Sequence, residues 1–135
     1  MALCASGQTN SNENNFWESG LNNSTGLLKM IKLRPINIDS LNYKSIISFL
    51  NGGNSKSTDN NYIVFKKISE DTLYIKINNT TSLTQRIGTA GAMLYLAKVT
   101  YNFTELKGIT YVNMDFEEGD HASPGIFSRK SFYNK

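Results

Sequence analysis

The sequence predicts an α+β domain: one antiparallel sheet of about four strands with two helices on one face, in the βαββαβ order of ferredoxin-like folds. Three observations lead there. Apolar residues at Ala92, Leu96, Val99, Phe103 and Leu106 recur in alternating steps of four and three, which places all of them on one face of a helix. Tyr43, Ile46, Ile47 and Leu50 repeat that spacing over a shorter stretch. Further runs carry the alternation or β-branched composition of strands, and with the helices they fall in the order strand, helix, strand, strand, helix, strand.

Residues 1–25 are rich in Asn, Ser, Thr, Gly and Glu, with only Phe16, Trp17 and Leu21 as apolar anchors. Such a segment buries too little apolar surface to offset its ordering entropy. It is expected to be disordered to about Asn15, followed by a short turn that docks the only tryptophan on the core. Residues 26–135 then form one α+β domain, with a C-terminal tail from about residue 117. Gly26–Arg34 is the first expected strand, with Leu27, Lys29, Ile31 and Leu33 on one face, and Pro35 ends it. Asp39 suits the N-cap of the first helix, and Gly52-Gly53 closes it. A polar loop, Asn54–Asn61, leads to Tyr62–Ile68 and Thr72–Asn78, two strands joined by the hairpin turn Ser69–Asp71. The long helix follows, Gly108 stops it, and Ile109–Phe116 is the last expected strand. The tail keeps Ile126, Phe127, Phe132 and Tyr133, so it is expected to pack.

A chain of 135 residues is the size of one domain. Its net charge of +3 is spread over 14 Lys and Arg with no basic run, which argues against a nucleic-acid partner. Asn22, Asn23, Asn78, Asn79 and Asn102 each head a glycosylation triplet, which chance explains in so Asn-rich a chain. The single cysteine, Cys4, rules out an intrachain disulfide and a thiolate metal cluster. No stretch approaches the roughly 20 apolar residues of a transmembrane helix. Ala5 and Gly7 before Gln8 read as the end of a secretory signal, while Cys4 reads alternatively as a lipid-accepting cysteine, with bulky Leu3 counting against it. An ordinary N-terminus is the plain reading.

Specific chemistries are thin. The paired cysteines of metal chaperones, the aromatic motifs of RNA-binding sheets and the glycine-rich phosphate loop are all missing from the sequence. The dense stretch is Asp115-Phe-Glu-Glu-Gly-Asp-His-Ala-Ser-Pro-Gly125, which holds the only histidine. A ligand site here would draw on Asp115, Glu117, Asp120 and His121, with Arg129 from the tail; a metal would take Glu117, Asp120 and His121. The spacing does not match an EF-hand loop. Asp120, His121 and Ser123 are sequence neighbours, whereas a hydrolase triad is assembled from separate parts of a fold. The plain alternative is a turn, since Gly119-Asp120 and Pro124-Gly125 are turn formers. No catalytic residue is assigned, and no cofactor is expected.

The span from about Thr72 to Gly119 resembles the sporulation and spore-germination (GerMN) domain of bacterial envelope lipoproteins. The resemblance rests on the strand Thr72-Leu-Tyr-Ile-Lys-Ile-Asn78 and the helix text Gly91-Ala-Met-Leu-Tyr-Leu-Ala-Lys-Val-Thr-Tyr-Asn-Phe-Thr-Glu-Leu106. It continues into Gly108-Ile-Thr-Tyr-Val-Asn-Met114. It covers about a third of the chain and leaves Gly119–Gly125 and the aromatic tail unmatched. It implies an α+β envelope domain that binds protein partners or itself, with no catalytic residues to carry over. The expected function is therefore a non-enzymatic interaction or assembly domain of the bacterial periplasm or cell envelope, with a lipid anchor at Cys4 as one route to the membrane. The alternatives are a cytoplasmic location and a small ligand- or metal-dependent enzyme or binding protein with its site at Asp115–His121.

Overall fold

The computed structural model describes residues 14–36, 41–52, 62–78, 88–133 and 135. Cys4, Asp39 and the 54–61 loop lie outside the described residues, as do the export-like first residues. The architecture is α+β. Strands β1 (Asn14–Leu21) and β2 (Leu28–Ile36) are followed by helix α1 (Tyr43–Leu50), then β3 (Tyr62–Ser69) and β4 (Thr72–Asn78). Helix α2 (Gly88–Phe103), β5 (Tyr111–Asp115), β6 (Gly125–Phe127) and a 3-10 turn at Arg129–Phe132 complete the chain.

The expected single antiparallel sheet is replaced by two sheets. β1 and β2 form their own antiparallel hairpin, and the main sheet has the order β3-β4-β5-β6. Its centre is parallel, because β4 and β5 are joined through α2, while β3-β4 and β5-β6 are antiparallel. The strand expected at Gly26–Arg34 thus leaves the main sheet, and the tail supplies β6 in its stead. The residues expected to be disordered to Asn15 and then to turn carry β1 from Asn14 onward. β2 also runs past Pro35, where the register shifts opposite Asn15 and Trp17; an irregular edge tolerates the missing N–H.

Why these residues form these elements follows from their patterns. In β4 the buried Leu73, Ile75 and Ile77 alternate with more exposed neighbours, and in β5 Val112 and Met114 do the same. They meet Ala92, Leu96, Val99 and Phe103 of α2, all buried as the helical spacing predicts. Ala97, Thr100 and Asn102 are buried too, so α2 has apolar or sealed contacts on more than one side. The further contact is the hairpin. Phe16 stacks on Phe49 of α1 at 4.3 Å, and Trp17 meets Tyr101 edge-on at 5.3 Å. Helix α1 is capped by Asn42, whose side chain accepts from the Ser45 N–H at 2.9 Å while Ser45 Oγ accepts from the Asn42 N–H at 3.2 Å. That cap stands where Asp39 was expected.

Candidate functional site

Strand alternation decides the fate of the dense acidic stretch. Met114 and Phe116 fill the core, so Asp115 and Glu117 point the other way and are exposed. Asp115 pairs with Lys66 of β3 at 3.4 Å, with both side chains about half exposed. Glu117, Glu118 and Asp120 are exposed, and among the described residues no hydrogen bond or ion pair holds them. The loop turns where Gly119 N–H donates to the Ala122 carbonyl at 3.1 Å. His121 is half-buried and sits apart from these carboxylates in its contacts, its Nδ1 being 3.1 Å from Thr89 Oγ1 at the start of α2.

Arg129 goes elsewhere. Its Nε donates to Thr104 Oγ1 at 2.8 Å, and one Nη donates to the Tyr101 carbonyl at 3.0 Å and to Glu105 at 2.7 Å. The guanidinium lies 4.7 Å from the centre of the Tyr101 ring and 5.4 Å from that of Trp17. Through Nε and one Nη it clamps the C-terminal end of α2 to the tail. The grouping of Asp115, Glu117, Asp120 and His121 with Arg129 is therefore not a convergent site. Nor is the metal set Glu117, Asp120 and His121: among the described residues no three His, Cys, Asp or Glu side chains could hold an ion.

What the fold does build around His121 is a groove. The first half of α2 (Thr89, Met93, Leu96) forms one wall, and the loop His121–Pro124 with β6 forms the other. Phe127 and the buried Phe132 supply aromatic surface, and Lys135 stands among the lining residues. Its volume is about 540 Å³, within the usual range for binding clefts. Most of the lining is apolar, and the titratable members are His121 and Lys135. A smaller hollow of about 290 Å³ lies at Thr104, Tyr111, Arg129 and Tyr133, but the guanidinium on its wall is already engaged.

Of the residues expected to form a site, the groove takes only His121. Met93, Leu96, Ile126, Phe127, Phe132 and Lys135 were not expected there, although the apolar tail was a signal that the chain end packs. Comparison with protein-family models, curated proteins and solved structures finds no match for this chain. No helix among the described residues is long and apolar enough to cross a membrane.

Proposed function

We propose that this chain is a non-enzymatic interaction domain that engages a protein partner through the groove between α2 and its C-terminal tail. One observation carries the reading: among the described residues the titratable side chains lining the cleft are those of His121 and Lys135, with the nearby Asp and Glu side chains turned to solvent or paired with Lys66. General acid–base or metal chemistry needs such groups to converge on one point. An apolar cleft with few polar groups suits binding instead. The cell-envelope setting and the lipid anchor at Cys4 belong to the same proposal, supported by the N-terminal sequence and the GerMN-like text from Thr72 to Gly119.

Crosslinking of the purified chain in a cell-envelope extract, read by mass spectrometry, tests the binding role. Crosslinks concentrated on α2 and residues 121–135 are expected; a chain that stays monomeric and captures nothing sinks the proposal. The competing ligand- or metal-dependent reading has its own readout. A rise in melting temperature with calcium or zinc that disappears in His121→Ala would favour it. No such rise is expected.

A further inference from the structure

Strand edges expose unpaired backbone groups, and this molecule blocks its edges by different devices. On β1, Trp17 N–H donates to Asn102 Oδ1 at 2.9 Å and Asn102 Nδ2 donates back to the Trp17 carbonyl at 3.0 Å. Asn15 N–H donates to Glu105 at 2.9 Å beside them. On β3, Asn51 repeats the arrangement, accepting from Ile63 N–H at 3.0 Å and donating to its carbonyl at 3.2 Å. A register shift between Phe65 and Lys67 then breaks that edge. On β2, Leu28 N–H donates to a main-chain oxygen of Lys135 at 2.6 Å, and irregular pairing with Pro35 interrupts the far end. β6 differs. It is the outer strand of the main sheet, and among the described residues no hydrogen bond reaches it from the side away from β5.

We infer that the β6 edge and the groove beside it take an extended peptide segment of a partner protein, apolar at alternate positions and carrying a carboxylate, which adds as a further strand of the main sheet. This rests on the binding-module reading and names its site and partner chemistry. Three residues of β6 supply few backbone bonds, so side-chain burial must add to them. The groove offers it: alternate residues of an extended strand lie roughly 7 Å apart and face one side. Ile126, at 60% exposure, is the most exposed large hydrophobic residue among those described, and it stands on this edge. Charge selects the partner's polar group. Among the described lining residues Lys135 carries the one cationic side chain and none is Asp or Glu, so an acidic side chain or a free C-terminus is the complementary group.

Panning a phage library of random dodecapeptides against the full chain, with Ile126→Glu as counter-selection, tests this. Enriched sequences should alternate apolar residues and contain Asp or Glu. Their affinity should fall about tenfold or more in Ile126→Glu and in Lys135→Glu, and stay unchanged in Val64→Glu on the opposite edge strand. Amide resonances of Gly125–Phe127 should shift on binding. If Ile126→Glu fails to fold, as judged by its melting curve, Lys135→Glu carries the comparison. Peptides that bind both variants as well as the native chain, or that are basic, overturn the assignment but leave a binding module using another surface. No enriched peptide also overturns it: a dimer dissolved by Ile126→Glu would then place a second copy on the edge. Absence of any crosslinked partner as well would bring down the binding reading itself.

Discussion

Asn102 acts toward β1 as a neighbouring strand would, supplying one acceptor and one donor to the backbone of Trp17. It is almost fully buried, and its Nδ2 also donates to the Lys98 carbonyl at 2.8 Å, so its amide leaves little unsatisfied. That burial also argues against its glycosylation triplet being used in the folded chain. Asn102→Ala leaves both Trp17 backbone groups without partners, and a stability loss of about 2–4 kcal/mol is expected in urea denaturation. A loss below about 0.5 kcal/mol would mean water replaces the amide without difficulty. Tyr95, on the same stripe of α2, has the opposite problem: its hydroxyl oxygen is shielded from solvent and has no hydrogen-bond partner among the described residues. Burial pushes its pKa well above the ordinary 10.0. A raised folded-state pKa keeps the proton on in the native state, so its stabilising effect is whole below pH 10.0 and declines as pH rises beyond it. Tyr95→Phe should therefore match or exceed the native stability at neutral pH, by up to about 1–2 kcal/mol, and should lose less of it at alkaline pH. Melting curves on both sides of that pH check the sign; equal losses in both chains would assign the alkaline sensitivity to another group.

At the scale of elements, the β3-β4 turn carries strain that a substitution should release. Glu70 sits at φ 57, a conformation in which a side chain costs about 1 kcal/mol and glycine nothing. Glu70→Gly should gain part of that cost, offset by the extra freedom of the unfolded chain, for a net change of about 0.5 kcal/mol in thermal denaturation. Gly108, at φ 85 beyond α2, is the mirror case, and Gly108→Ala should lose about 1 kcal/mol. Such local rules are why β3, β4, α2 and β5 were legible in the sequence: their periods and breakers agree with their tertiary roles. β1 was not legible, because Asn15, Glu18 and Ser19 give it a loop's composition while its backbone is satisfied by β2, by Asn102 of α2 and by Glu105 just beyond that helix. β6 is too short, at three residues, to display a period. The site misled for a related reason. Asp115 to His121 are close along the chain, but alternation in β5 and the following turn send their side chains different ways, and Arg129 is drawn to the end of α2. The groove depends on α2 meeting the tail, a juxtaposition that no linear motif records.

For the whole molecule, α2 is the element on which the hairpin and the main sheet both depend. A two-stranded hairpin is marginal alone in water, so β1 and β2 owe their stability to what docks them. Those contacts include the Asn102 amide, Ser19 Oγ donating to the Leu94 carbonyl at 2.6 Å, the Lys98–Glu18 pair at 2.9 Å, Asn15 N–H on Glu105, Leu28 N–H on Lys135, Phe16 on Phe49, and Arg129 between Trp17 and Tyr101. The main sheet holds the more continuous core, Leu73, Ile75, Ile77, Val112 and Met114 against α2, to which the hairpin adds the buried Phe16 at its margin. Opening of the hairpin should therefore cost less than global unfolding. Hydrogen exchange should show amides of β1 and β2 less protected than those of β4 and β5, and Asn102→Ala should widen the gap by lowering hairpin protection first. If the variant lowers protection by equal factors everywhere, hairpin and sheet unfold as one unit, and α2 transmits the loss of a single amide to the entire fold.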